Sequence, residues 1–330
     1  MRAAVLEHAG TVTIREVPRP EAAGRALVRV GQAGLCGTDI KIANGQIPVA
    51  VPRVLGHEMT GWVAQSRRLP VGTPVLVNPA AFCGHCDLCR RDLPQLCRQG
   101  ALLGRDTDGC FAEFVAVDED CLHPLPDGLA GAGLLQVLST CVHAQSGLPE
   151  VASAVVVGLG VAGLLHLQLL ALRGTASLIG VSRSAAKREL ALAMGATVVA
   201  TPEAAAGAVA DATGGRGAVL AVECAGTPQT LAQTMRLAGA GGTVILFGVL
   251  PAGEQLPTYE AYLKELTIRC PRASVPRDFD TAIRLCADRR LDLAPLVTAR
   301  FPLSKVTDAL AASEHPEHLK IVLDVADPSS

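Results

Sequence analysis

An α/β fold in two parts, one mostly β and the other a doubly wound parallel sheet, is what this sequence predicts, and three observations carry it. Between about residue 152 and residue 270, strand-like apolar runs alternate with helical runs, a rhythm that specifies parallel strands joined by crossover helices. Before about residue 145 the apolar runs are separated by glycine and proline turns, the pattern of a mostly β segment. The chain has 330 residues, 49% hydrophobic but only 3% aromatic, which suits two cores packed from alanine, valine and leucine.

In the first part, residues 26–30, 61–64, 74–77 and 111–117 read as strands. In the second, the run 154–157 ends in Gly158-Leu159-Gly160-Val161-Ala162-Gly163 and passes directly into an apolar helix. Gly158 permits the tight turn, Gly160 lets the backbone approach a pyrophosphate, and Gly163 lets the helix lie close on the strand, with its N-terminus facing the anion. A dinucleotide is the ligand this context calls for; a glycine turn that only packs is the competing reading, and the strand before and helix after weigh against it. Residues 176–181, 197–200, 218–223, 242–248 and 265–270 continue the strand series, while 214–217 and 239–242 read as turns. After Pro271 come helices around 279–287 and 304–312 and a last strand at 320–325, a tail that composition assigns to neither part.

A formal net charge of −2 with no basic run argues against nucleic acid as a partner. The first residues lack the long apolar core of a leader, and apolar runs elsewhere are too short to span a membrane, so a cytoplasmic chain with no membrane partner is expected. Eleven cysteines in such a chain point to metal or thiol chemistry rather than a disulfide framework.

Four of them cluster: Cys83, Cys86, Cys89 and, after seven intervening residues, Cys97. Two C-x-x-C steps turn thiolates toward one centre and a fourth closes a tetrahedral site, the pattern of structural zinc. Unpaired thiols, a redox pair and an iron–sulfur cluster are the alternatives. A nucleic-acid-binding zinc ribbon fails for want of basic residues beyond Arg90, Arg91 and Arg98. A second constellation, Cys36 with His57 and Glu58, supplies a thiolate, an imidazole and a carboxylate, although a cysteine and a histidine at that separation are by themselves more often packing residues.

Cys36-Gly37-Thr38-Asp39, Gly56-His57-Glu58, the cysteine quartet, the stretch 138–144, Gly158 to Gly163 and Phe301-Pro302-Leu303 follow in an order and at separations that resemble the zinc-dependent medium-chain dehydrogenases/reductases. That superfamily contains alcohol, sorbitol and threonine dehydrogenases, and the resemblance covers nearly the whole chain. It implies a GroES-like catalytic domain from residues 1–147 and 276–330, an inserted Rossmann domain over 148–275, an active site in the cleft, and a homodimer or homotetramer. It implies two zincs per chain: a structural one on the quartet, and a catalytic one on Cys36 and His57, with Glu58 ligating directly or in exchange with water. Family members usually add a Cys or Glu where this chain has Gln136, whose neutral amide either coordinates weakly or leaves the place to Glu58 and water. Losing that anionic ligand should weaken zinc retention. Cys141 is a poorer substitute, its family position facing elsewhere.

The implied reaction is hydride transfer between a secondary alcohol or its ketone and a nicotinamide cofactor, with Thr38, Lys41 and Glu58 as catalytic candidates. Thr38 takes the alcohol proton. Lys41 stands where a family histidine often finishes the relay, and a solvated surface lysine is the equal alternative. Asp39 orients His57 by accepting its other ring N–H. Gly158, Gly160, Val161, Gly163, Ser182, Arg183 and Thr140 form the cofactor-binding set. An NAD enzyme presents a carboxylate at the end of the second nucleotide-fold strand, but this chain has Ser182-Arg183-Ser184 there, with Lys187 and Arg188 following. That favours NADP(H) over NAD(H).

Among the remaining residues, His166 reads as a core histidine, His143 as packing, and His315 and His318 as a solvated turn. Cys110, Cys121, Cys224, Cys270 and Cys286 read as buried thiols. The expected substrate is a polyol, sugar or aminocyclitol-like secondary alcohol. Two alternatives stay open: a zinc-free quinone or enoyl reductase of the same superfamily, which both metal sets disfavour, and a non-catalytic nucleotide-binding homologue, to which Gln136 gives room.

Overall fold

The computed structural model describes residues 1–129 and 132–326. Two compact units divide the chain: Met1–Ser139 with Ala273–Ser330, and Thr140–Arg272.

The first unit is built mostly from antiparallel strands: β1 (Arg2–His8), β2 (Thr11–Glu16), β3 (Ala26–Gly34), β4 (Arg53–Val54), β5 (Glu58–Gln65), β6 (Pro74–Val77), β7 (Ala80–Ala81), β8 (Ala101–Leu102), β9 (Phe114–Val117) and β10 (Leu122–Pro124), with helix α1 (Gly37–Ala43) after β3. Seven residues of β3 are buried, because it is covered on both faces and flanked on both edges. Along one edge it pairs with β5, ending at Gly34↔Glu58. Its first half also pairs with β9. The largest core of this unit, with Val28, Val30, Met59, Val75 and Phe111 at 1% exposure or less, sits on this sheet.

The chain leaves this unit inside α2 (Leu135–Gln145) and enters a six-stranded parallel sheet. Its members are β11 (Ser153–Val157), α3 (Val161–Leu172), β12 (Ser177–Val181), α4 (Ala185–Ala193), β13 (Val198–Ala200), α5 (Ala205–Thr213), β14 (Ala218–Glu223), α6 (Pro228–Leu237), β15 (Ala238–Leu246), α7 (Thr258–Leu263) and β16 (Thr267–Arg269). The strand order β13-β12-β11-β14-β15-β16 reverses direction at β11, the doubly wound arrangement whose ligands sit at the carboxyl end of the strands where the order switches. All five residues of β11 are buried, as befits a central parallel strand.

One expected turn is not a turn. Residues 239–242 belong to β15, whose pairing with β14 jumps from Ala218↔Ala238 to Leu220↔Thr243. Glycines suit a bulge as well as a turn, and here close approach requires one: a Cβ on Gly239 would lie 2.4 Å from the Arg216 carbonyl oxygen.

The tail, α8 (Pro276–Ala287), β17 (Val297–Pro302), α9 (Val306–Ala312) and β18 (Lys320–Asp324), returns to the first unit. There β18 pairs antiparallel with the other edge of β3 at Val322↔Gly34, so Gly34 lies between Glu58 on one side and the last strand on the other. No helix among the described residues is long and apolar enough to cross a membrane.

Candidate functional site

Cys36 caps the N-terminus of α1, and its backbone N–H donates to Asp39 Oδ2 at 3.0 Å. Asp39 is fully buried, and its other oxygen accepts from His57 Nδ1 at 3.1 Å. One carboxylate therefore fixes both the backbone at Cys36 and the imidazole of His57. Gly56 makes the turn into β5 possible: its φ is +93°, and a Cβ there would strike the Phe111 ring at 2.2 Å. The ligand atoms of Cys36, His57 and Glu58 all lie within 4.8 Å of one another. Burial opposes the imidazolium form of His57, but the charges of Asp39 and Cys36 outweigh it and hold the ring well above the ordinary histidine pKa. A more basic imidazole is a better electron-pair donor, and its orientation is set.

Glu58 is 1% exposed, and its Oε2 is ion-paired to Lys320 Nζ, an ammonium that is itself buried and donates to the Leu35 carbonyl at 3.0 Å. Burial alone would lower the Lys320 pKa; the charges of Glu58, Cys36 and Asp39 reverse the direction and raise it. Sequence reading missed this lysine, whose single signal is a cation opening the apolar run 321–323. Thr38 and Lys41 lie on α1, both half-buried, and Gln136 stands half-buried in the first turn of α2. One thiolate, one imidazole and one carboxylate within metal-spanning distance, with the imidazole braced from behind, fit a zinc ion that retains an open position.

The quartet Cys83, Cys86, Cys89 and Cys97 lies in a half-exposed segment held by two short 3₁₀ turns, and its sulfurs also lie within 4.8 Å of one another. Cys83 and Cys89 Sγ are 4.0 Å apart and Cys86 and Cys97 Sγ are 3.9 Å apart. Four thiolates about 2.3 Å from one zinc sit about 3.8 Å from each other. Backbone N–H groups of Cys89 and Arg98 pull the Cys86 thiol down to about 6, whereas burial and the neighbouring thiols push Cys89 up to about 12. Four sulfurs this close ionise together only around a cation. The His85 ring Nδ1 lies 2.8 Å from the Cys83 carbonyl oxygen.

In the second unit the three glycines do three different things. Gly158 has φ +96°; Gly163 is pressed so closely on the turn that a Cβ would lie 2.0 Å from the Gly158 carbonyl oxygen; nothing lies within 4 Å of a Cβ on Gly160. The first two are demanded by the chain's own packing, whereas Gly160 opens onto free space. Gly160 caps the twelve-residue α3, which Val161 opens and whose N–H groups suit a diphosphate. Cys141 Sγ reaches the Ala162 carbonyl at 3.8 Å, which brings α2, and Thr140 with it, to this loop. At the end of β12, Ser182 is half-buried and Arg183 exposed. Arg188 is committed elsewhere: its Nη1 donates to the Ser182 and Arg183 carbonyls at 2.7 and 2.9 Å and shapes that turn. Across the sheet, buried Glu223 accepts from the N–H groups of Ala225 and Gly226 and from the Thr230 hydroxyl, fixing the loop after β14.

His166 is fully buried within α3, beside the Gln145 amide at 2.9 Å, and burial lowers its pKa to about 3. One thiol expected in a core is not: Cys270 is exposed, whereas Cys224 is half-exposed as a residue but burial pushes its thiol well above the ordinary value. Cys270 stands one residue beyond the edge strand β16, where no neighbour covers it among the described strands; Cys224 opens the loop after β14.

Residues 22–127 match the family profile described as alcohol dehydrogenase GroES-like domain, and residues 161–288 the one described as zinc-binding dehydrogenase. The chain is 30% identical over 314 residues to 2-dehydro-3-deoxy-L-galactonate 5-dehydrogenase of Pseudoalteromonas atlantica, covering 92% of each chain. It is 28% identical over 344 residues to sorbitol dehydrogenase of Halalkalibacterium halodurans, covering 99% of this chain and 100% of the relative. Among solved structures, a Sinorhizobium meliloti protein described as a zinc-binding dehydrogenase, bound to NADP, superposes with a TM-score of 0.91 at 31% identity, over 98% of this chain and 99% of that one.

Proposed function

We propose, because this chain belongs to the zinc-dependent medium-chain dehydrogenase family, that it transfers hydride between a polyhydroxylated secondary alcohol and NADP(H), with two zinc ions per chain. The observation that carries the reading is the braced trio of half-buried Cys36 with buried His57 and Glu58, in a chain whose glycine turn leaves space at Gly160. Relatives named for a sugar acid and for sorbitol support a polyol or sugar as the substrate class.

When bound, zinc supplies the Lewis acidity that lowers the pKa of an alcohol hydroxyl, and the nicotinamide supplies the hydride acceptor. Cys36 and His57 hold the metal, Glu58 is their third partner, and Gln136 offers a neutral amide where an anion would bind more tightly. Asp39 keeps His57 turned toward the metal. The Thr38 hydroxyl accepts the substrate's hydroxyl proton while giving up its own toward solvent, and Lys41 on the same short helix would take that proton on only as a neutral amine. Cys83, Cys86, Cys89 and Cys97 hold the second zinc, which fastens a segment with no apolar core of its own.

Residues 148–275 serve as the cofactor domain, and 1–147 with 276–330 as the catalytic one. Ser182 and Arg183, with Lys187 nearby and no carboxylate in the turn, suit a 2′-phosphate; the NADP found on the Sinorhizobium meliloti protein supports this. Eleven free cysteines suit a reducing compartment, hence the cytoplasm. A homodimer or homotetramer is supported by Tyr259 and Tyr262, 73% and 80% exposed beside Leu263 on α7, an apolar patch that association would cover.

The test pairs metal analysis with an alcohol panel assayed with both cofactors. Two zincs per chain and a kcat/KM at least tenfold higher with NADP than with NAD are expected. One zinc, or a preference for NAD, refutes the corresponding part of the reading.

A further inference from the structure

Lys320 and Glu58 are 262 positions apart in sequence, yet they form a buried ion pair over the end of β3. Their side chains are 5% and 2% exposed. The pairings of β3 explain how they meet: Gly34 lies opposite Glu58 on one side and opposite Val322 on the other, and Lys320 shares a face with Val322. Gly34 is what lets the pair close. A Cβ on it would lie 2.6 Å from Glu58 Oε2 and 2.8 Å from Lys320 Cε. The ammonium is also tethered, because it donates to the carbonyl of Leu35, the residue before Cys36.

We propose that Lys320 is a positioning residue that competes with the metal for the Glu58 carboxylate, and so sets how tightly the Cys36 and His57 site holds its ion. The proposal rests on those two residues being metal ligands. The charge balance gives its direction. Zinc with one thiolate carries a net +1, and a second anionic ligand would bring it to zero. With Gln136 in place of an anion, Glu58 is the carboxylate within range, and Lys320 neutralises it through the ion pair. The metal keeps its charge and its acidity at a cost in retention.

Zinc release to a chromogenic chelator tests this on the full-length protein. The phase that Cys36→Ser abolishes belongs to this site; if no phase depends on Cys36, the metal reading itself falls. In Lys320→Met that phase is expected to slow at least tenfold as Glu58 turns to the metal, with a changed visible spectrum in the cobalt-substituted protein. Lys320→Arg, which keeps the cation, is expected to stay within about twofold of the parent. An unchanged or faster phase in Lys320→Met overturns the competition while leaving the metal reading intact. Should that variant not fold, Lys320→Met with Glu58→Gln removes both buried charges together, which is the milder change. Release within about threefold of the parent supports the proposal, and release tenfold faster makes Glu58 a standing ligand and overturns it.

Discussion

The two cysteine-bearing clusters of this chain are opposites in construction. Cys83, Cys86, Cys89 and Cys97 come from fifteen consecutive residues, are half-exposed, share one chemistry and lie in a segment of 3₁₀ turns. Cys36, His57 and Glu58 come from the ends of different elements, differ in chemistry and stand in a wall of buried side chains, with Asp39 behind and Lys320 above. The first cluster organises the backbone that carries it, so a metal there contributes to folding. The second is organised by a sheet that exists without it, so a metal there is free to serve reactivity.

The sharpest way to break this contrast is to remove one thiol from each. Cys89→Ser should cost one zinc and open residues 83–97 to proteolysis, because zinc supplies most of what orders such a loop. Cys36→Ser should also cost one zinc but lower kcat/KM by about a thousandfold or more, with the melting temperature changed by only a few degrees. Equal melting losses in both would erase the distinction. A smaller effect sharpens it: Asp39→Asn weakens the brace on His57 and should lower zinc affinity or activity about 10- to 100-fold while leaving the quartet's zinc in place, as metal analysis would show. The smallest is at the surface, where Arg98 holds Asp87 through two hydrogen bonds of 2.6 and 2.9 Å. Exposed pairs contribute little, so Arg98→Ala should change the quartet's zinc release by less than about twofold; a tenfold change would mean the exposed pair holds the lobe together.

The same contrast explains what could be read from residues alone. The quartet is legible because its geometry is a matter of spacing. The parallel sheet is legible because strand and helix periods alternate, and the glycine turn because its neighbours on either side are part of its signature. Cys36 and His57 are connected through a family resemblance, since nothing local says that positions 36 and 57 meet. Lys320 escaped because a lysine beside a strand ordinarily faces water, and its burial depends on a pairing with residues some 290 positions earlier. Gly239 to Gly242 and Cys270 misled for a related reason: whether glycines turn or bulge, and whether a strand's last side chain is covered, is decided by neighbours that the local sequence does not name.

The position of β18 has a consequence for how the protein is made. A ribosome finishes the four quartet thiols after less than a third of the chain, so that lobe has all its sulfurs while synthesis continues. Cys36, His57 and Glu58 emerge earlier still, yet their buried carboxylate waits for its counter-cation until residue 320, and the end of β3 from Gln32 to Gly34 lacks its second neighbour until then. The order of the chain thus lets the quartet come together early and completes the surroundings of Cys36, His57 and Glu58 last.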